Sequence, residues 1–334
     1  MRALAFAAIL LSLPGIAQAR EPKVGMLTTY SMPGYTLVSQ DERAAQRMIN
    51  RLPVCQAVLA SLFDQSPQAS ATPTRIWIAN RQVFERYLRA DDFATSAFAA
   101  TPSANYLLFD ASVPPERKSW DACAEFSRLY IQTQFRGTTP AWFRQGLSML
   151  MFLADIEGAE AFIGRRDSIT HFEWIPIEQV LSLDDAQLGS RRSGAHVYMY
   201  DSESWALVHR GLIGDPGFGQ QMLSYLKRVD AGESVGRAVQ GSFGMSVEAL
   251  NDSMRQYHAK PRFRVAVVKF EKPASMVLPP GQVLGRGEAL ELLATAMVDT
   301  GLHLRHLDEV IDAAERQSPG STAIRNLRRR AAGQ

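Results

Sequence analysis

The chain of 334 residues has little cysteine, two residues in all, and almost no net charge, with 36 Lys and Arg against 34 Asp and Glu. So even a balance leaves no concentrated basic surface for a phosphate backbone, which argues against nucleic acid as a partner. Two cysteines, with no C-x-x-C and no Cys/His cluster, argue against a zinc module or a dithiol redox centre. The chain also lacks a G-x-S-x-G elbow, a P-loop and the glycine pattern of a dinucleotide-binding turn. No cofactor is implied. After the N-terminus no stretch approaches the roughly 20 apolar residues that a membrane helix needs, so no transmembrane anchor is expected. What is present, 46% hydrophobic and 21% charged residues, is an ordinary globular balance that excludes disorder, collagen and a disulfide-dense mini-protein. The length suits two domains or one large one.

The first residues follow a plan for export. Arg2 supplies the positive end, Ala3 to Leu13 an apolar run, Pro14-Gly15 the breaker, and Ala17 and Ala19 flank Gln18 as a small-residue cleavage site. Residues 1–19 are therefore read as a signal peptide, cleavage after Ala19 leaves Arg20 as the first residue, and the mature protein is expected to be periplasmic or secreted. Such compartments oxidise thiols. Two readings of Cys55 and Cys123 stand: a disulfide closing a loop of about 68 residues, stabilising by roughly 4 kcal/mol, or two buried free thiols.

Between residues 35 and 110 the pattern alternates strand and helix. Tyr35 to Ser39 alternates as a strand, Ser39 with Glu42 forms a capping box, and Met48, Leu52, Cys55, Leu59 and Leu62 continue a helical stripe across Pro53. Arg75 to Ala79 is a second strand. Asn80 caps a helix whose inner face is Val83, Phe84, Tyr87 and Leu88, and Thr95 to Ala100 with Tyr106 to Asp110 make a hairpin. Helices dominate from Ser119 to residue 259: Trp120 to Phe135, one opened by Thr139-Pro140, Glu203 to Leu212, and one marked by Phe218, Met222 and Tyr225. Arg262 to Phe270 alternates again. The Pro-rich 272–286 reads as a linker, and 287–334 as three short helices, an appendage whose Ala313, Ala314 and Pro319 are similar to half of a tetratricopeptide repeat. The fold class expected is α+β, a small mixed sheet with a helical second half and a helical appendage.

The most informative residues are Ala124-Glu125-Phe126-Ser127-Arg128 and, after them, Pro140-Ala-Trp-Phe-Arg-Gln-Gly-Leu147. The pair resembles the H-E-x-x-H helix and the P-x-W-F-x-E-G-L-A segment of gluzincins, the thermolysin-like zinc peptidases, in a small bacterial exported branch. Ser204-Trp-Ala-Leu-Val-His209 is similar to a further helix of that family, and the resemblance runs over residues 28 to 260. It implies a zincin-like domain over 20–271, with Glu125 at the place of the catalytic glutamate and Ala124, Arg128 and Gln145 at the former metal-ligand positions. Trp142, Phe143, Trp205 and His209 would line the cleft.

The departures from the pattern are chemical. Two His at i and i+4 point together at a zinc ion, but alanine has no donor atom, arginine stays protonated, and glutamine brings a neutral carbonyl. A guanidinium about 4 Å from Zn²⁺ is repelled by about 8 kcal/mol at an effective dielectric near 20. That rivals the roughly 10–16 kcal/mol of a structural zinc site. No metal is expected. Glu125 and Arg128, at i,i+3, are placed either to pair where the cation once sat or to form an ordinary solvated contact.

The remaining candidates are weaker. His303 and His306 read as a solvated pair, Ser127 and Ser204 have no evident base, and Arg328 to Arg330 reads as a solvated helix end. Phe172 to Pro176 reads first as core. The resulting expectation is an exported pseudo-peptidase whose cleft binds a peptide or partner protein. Two alternatives stand beside it: a residual metal peptidase using Glu125 with ligands from His171, His196 or His209, and a helical interaction module in residues 282–332.

Overall fold

A computed structural model describes residues 22–65, 70–89, 94–113, 120–135, 139–165, 174–184, 195–302 and 304–333. The N-terminal stretch read as an export signal, His171, Phe172 and His303 lie outside the described residues, as does the side chain of His196. The fold is α+β. Its centre is a six-stranded mixed sheet of β1 (Thr28–Met32), β2 (Tyr35–Ser39), β3 (Thr74–Ala79), β4 (Ser96–Ala100), β5 (Asn105–Asp110) and β9 (Gln282–Val283), in the order β4-β5-β3-β2-β1-β9. β2, β3 and β5 run parallel, and the flanking pairs are antiparallel. β1 escaped the sequence pattern; it returns into β2 through Pro33-Gly34, where Gly34 takes φ 82°, open to glycine at little cost.

The sheet is covered on both faces. Leu37, Ile76, Ile78, Leu107 and Phe109 point into one core, while Val38, Trp77, Ala79, Tyr106 and Leu108, their neighbours along the same strands, point into a second. Strand side chains alternate, so two-sided burial demands apolar residues at nearly every position, and these strands supply them. The first core is closed by α1 (Glu42–Phe63), α3 (Trp120–Gln134), α4 (Ala141–Phe152), α5 (Ile177–Ser182), α6 (Ala195–His209), α7 (Pro216–Asp230), α8 (Val235–Phe243) and α9 (Val247–His258). The second is closed by Arg81–Val83 (α2), the π-helical Phe84–Leu88, and three helices at the C-terminal end: α10 (Arg286–Thr300), α11 (Leu307–Gln317) and α12 (Thr322–Ala332). These last three form the outer layer of the sheet rather than an appendage standing apart from it. A smaller sheet, β6 (Asp155–Glu157), β7 (Glu160–Ile163) and β8 (Ala266–Lys269), packs at the helical end.

Several expected boundaries move for local reasons. The N-cap of α1 is Asp41, whose carboxylate accepts from the N–H groups of Arg43 and Ala44; Ser39 instead turns its hydroxyl to the carbonyl oxygens of Asp41 and Ile78. α1 runs through Pro53 to a left-handed Asp64. Asn80 caps as expected, its side chain accepting from the Val83 N–H. Pro140 is itself the residue before α4, without a side-chain cap. α6 begins eight residues before Glu203. The segment read as a linker has no regular structure between 270 and 281, yet it is anchored: Gln46 donates to the Met276 carbonyl and accepts from the Leu278 N–H, Asn50 accepts from the Met276 N–H, and β9 then pairs with β1.

The outer layer is pinned to the sheet by Asp299 on α10. Tyr106 of β5 and Ser103 both donate to its carboxylate, and Arg330 of α12 pairs with it. Its pKa is held down: burial opposes this, but the hydrogen bonds from Tyr106, Arg330 and Ser103 outweigh it. On the other side of the sheet Cys55 of α1 and Cys123 of α3 are disulfide-bonded, with Cα atoms 5.1 Å apart, so the first of the two cysteine readings holds. Both are completely buried. The bond closes a sequence separation of 68 residues, and by chain entropy its loss costs about 4 kcal/mol. A Cys55→Ala/Cys123→Ala double variant is expected to fall by that order in urea unfolding, with its far-ultraviolet circular dichroism retained; an unchanged midpoint would contradict the assignment.

Candidate functional site

α3 and α4 are joined by a short connection and pack closely, and the residues singled out in the two motifs meet between them. Arg128 on α3 is the hub. Its Nη2 donates to Gln145 Oε1 at 2.6 Å and its Nε to Ser148 Oγ at 3.2 Å, both on α4. Its Nη1 lies 3.6 Å from Glu125 Oε2, an ion pair too long to count as a hydrogen bond, which agrees with that oxygen having no hydrogen-bond partner among the described residues. The other Glu125 oxygen accepts from Ser96 Oγ of β4 at 3.0 Å. Glu125 is 7% exposed at its side chain and Arg128 27%. The pair is therefore sheltered, not the solvated contact that was the alternative reading. Ala124 is buried one turn before Arg128.

Gly146 explains how α4 comes so close to its neighbour. A Cβ built there would lie 2.2 Å from the Ser204 carbonyl oxygen and 2.5 Å from Val208 Cγ2, so only glycine lets α4 pack against α6 at this depth. The glycine of the Trp-Phe-Arg-Gln-Gly segment thus has a packing reason of its own, and it fixes where Gln145 stands.

The residues expected to line a cleft do not. Trp142, Phe143, Trp205 and His209 are all fully buried in the first core. Trp142 stacks edge-on against Phe143, and Trp205 lies against His209 and Phe263. Their aromatic area is spent on the interior, where large rings contribute most. Both nitrogens of His209 are engaged. Nε2 meets the Arg264 carbonyl at 2.9 Å and must donate, which leaves Nδ1 to accept from the Tyr257 hydroxyl at 2.7 Å. Burial lowers the His209 pKa and raises that of Tyr257 to about 12, so a neutral ring and a protonated phenol are the stable pair. His209 is a core histidine and is not available as a metal ligand. Ser127 donates to the Ala124 carbonyl within its own helix, Arg328 is bound to Asp312 and Glu315, and Trp174 donates to Asn251. Among the described residues no group of three or more His, Cys, Asp and Glu is placed to hold a metal ion.

Three participants lay outside the sequence reading. Ser96 and Ser148 orient Glu125 and Arg128, and nothing in a lone serine signals such a role. Glu203 is the third. It is buried on α6, one oxygen accepts from the Ile175 N–H at 2.5 Å, and the other has no hydrogen-bond partner among the described residues. No sequence signal marks it, since Asp201 to Ser204 form a polar run before Trp205, yet in the structure Ser202 to His209 are all buried.

No protein-family model matches the chain, and no curated protein is similar to it.

Burial raises the Glu203 pKa to about 8, against the smaller lowering effects of the Ile175 N–H and Arg255. Folded protein then keeps a proton that the unfolded chain releases near the ordinary carboxylate range. Between those two values the native state binds more protons, so stability falls as pH rises, on the order of 4 kcal/mol over the window. Glu203→Gln retains the acceptor for Ile175 and removes the titration. Thermal unfolding between about pH 5 and about pH 9 should show a smaller decline for the variant than for the parent; parallel declines would mean that Glu203 ionises normally.

Proposed function

We propose that this chain is an exported pseudo-peptidase of gluzincin ancestry, in which Arg128 has taken the place of the zinc ion and the remaining groove binds an extended peptide or a partner's peptide segment. One observation supports the reading: Arg128 reaches Gln145 directly and sits beside Glu125, so two of the three proposed ligand positions, on two helices, meet at a guanidinium. A cation is retained there, but one that has no open coordination position and cannot acidify a water molecule. Glu125 then has no metal-bound water to deprotonate, and the pair's remaining roles are structural and electrostatic.

A strand edge beside the pair supports the peptide reading. β4 is the end strand of the large sheet, and among the described residues it pairs only with β5. Such an edge offers backbone donors and acceptors to an added strand, a common mode of sequence-tolerant peptide binding. Ser96, the first residue of β4, holds Glu125, so a peptide added to β4 would run past the Glu125–Arg128 pair. The export pattern of residues 1–19 supports a periplasmic or extracellular setting for this role.

Two experiments test the reading. The triple change Ala124→His, Arg128→His, Gln145→Glu should create three ligands with one open position and bind zinc stoichiometrically, whereas Arg128→Ala alone should bind none and should lose about 3 kcal/mol of stability by leaving Glu125 sheltered without its partner. A folded triple variant that takes up no zinc removes the ancestry. For binding, hydrogen exchange in the presence of a tryptic digest of a denatured protein should protect the amides of residues 96–100. Protection confined to another part of the chain, or none at all, removes the peptide-binding role while leaving the ancestry standing.

A further inference from the structure

Four stretches of chain far apart in sequence meet at a cavity among the elements that close the second core. Its volume is about 580 Å³, within the range of small-molecule sites, and its walls include Lys23, Gln82, Arg86, Tyr87, Arg286 and Glu309. Lys23 precedes β1, Gln82 is on α2, Arg86 and Tyr87 are on the π-helical turn, Arg286 opens α10, and Glu309 lies in the first turn of α11. The charged groups can be reached from solvent. Lys23, Gln82 and Arg286 are exposed, and the side chains of Arg86 and Glu309 keep 39% and 18% of their surface.

Glu309 organises one wall. Its Oε2 accepts from Arg86 Nη2 at 2.7 Å, its Oε1 accepts from the Tyr87 hydroxyl at 3.2 Å, and His306 Nδ1 lies 3.4 Å from Oε2. Arg86 and Tyr87 are adjacent in sequence, yet both reach this one carboxylate from a π-helical turn, a rare geometry that recurs at functional sites. Both oxygens of Glu309 are thus committed to the protein, and it is the only acid on the described walls. The acids nearest the other wall residues in sequence also have partners: Glu85 pairs with Arg81, and Glu288 accepts from the Gly285 N–H.

Lys23, Arg86 and Arg286 against Glu309 leave the described walls two positive charges in excess. The chain as a whole has no such bias, with 36 basic and 34 acidic residues, so the excess belongs to this place. Like charges gathered in a concave wall repel one another, and a cleft lined by one sign of charge focuses its field and concentrates counter-ions. A cation is excluded from such a space, and a neutral ligand would leave the repulsion standing.

We propose that this cavity binds a small organic dianion, whose two negative charges match the excess on the walls and whose carbon frame occupies volume that a bare inorganic ion would leave to water. Such a site is independent of the Glu125–Arg128 pair, which lies between α3 and α4 against the other core.

Isothermal titration calorimetry of the mature, exported protein with glucose 6-phosphate and with succinate decides the matter, with glucose as the uncharged control and acetate as the singly charged one. At least one dianion should bind saturably, one molecule per chain, in about 150 mM NaCl and more tightly in about 25 mM, while neither control saturates. Preference between the two dianions assigns the charge to one phosphoryl group or to a pair of carboxylates. Lys23→Gln and Arg286→Gln should each weaken binding by about tenfold. Both residues are exposed, so the fold should stand. Lys269→Gln on β8, an equal loss of charge outside the cavity, should leave the affinity unchanged. Failure of both dianions to saturate overturns the proposal, as do unchanged affinities in Lys23→Gln and Arg286→Gln. An equal loss in Lys269→Gln overturns it too, since the attraction would then be to the charge of the whole chain.

Discussion

A mixed sheet buried on both faces sets the terms for everything else in this protein. Side chains leave a strand alternately up and down, so each of β2, β3 and β5 must satisfy two interiors at once: Leu37 and Val38, Ile76 and Trp77, Leu107 and Leu108 are adjacent residues committed to opposite cores. A single helical layer would leave Val38, Trp77 and Leu108 in water. At roughly 25 cal/mol per Å² of apolar surface, leaving one residue as large as Trp77 uncovered forfeits about 2–3 kcal/mol, a sizeable fraction of a domain's net stability. The C-terminal helices α10 to α12 are thus a requirement of the sheet.

That requirement accounts for the route of the chain between 270 and 286. A segment that must carry the chain from the helical face around to the other side of the sheet is free to be irregular but not free to drift, because the layer it delivers has to land in register. Gln46 and Asn50, one turn apart on α1, grip its backbone at Met276 and Leu278, and β9 fixes its end against β1. Asp299 then joins Tyr106 of the sheet to Arg330 of the last helix, so the outer layer is held by a charged contact at its rim as well as by its apolar face. Cys55–Cys123 does the corresponding task on the inner face, tying α1 to the helix that bears Glu125 and Arg128.

The parts legible in the sequence are those in which one physical signal dominates. Alternation marked β2 and β3, Asn80 marked its cap, and i,i+4 stripes marked α1, α7 and the C-terminal helices. The convergence of Arg128 with Gln145 was legible through the resemblance and its spacing, and the contact is present at 2.6 Å. What escaped depends on partners distant in sequence. β1 is short and polar at Thr28 and Thr29, and is a strand because β2 and β9 pair with it. Proline-rich composition reads as a linker whether or not two amide side chains 230 residues earlier hold it. Trp142, Phe143, Trp205 and His209 were assigned to a groove by analogy of motif, yet Gly146 brings α6 so near α4 that those rings are sealed inside.

On the proposed reading, the exchange of a metal ion for a tethered guanidinium changes more than reactivity. A zinc site collects its ligands through short bonds and leaves one position exchangeable, so the cation itself meets the substrate. Arg128 spends its donors inward, on Gln145, Ser148 and the Glu125 field, and only about a quarter of its side chain reaches the surface, 27%. Coulomb attraction to Glu125 offsets the cost of sheltering either charge alone, and neither neighbour can be neutralised without exposing the other's desolvation. The arrangement is therefore a sheltered, nearly neutral contact that joins α3, α4 and β4. On the proposed reading, selectivity at this contact comes from strand pairing along β4 and from shape, since a closed ion pair offers a passing peptide little net charge to read.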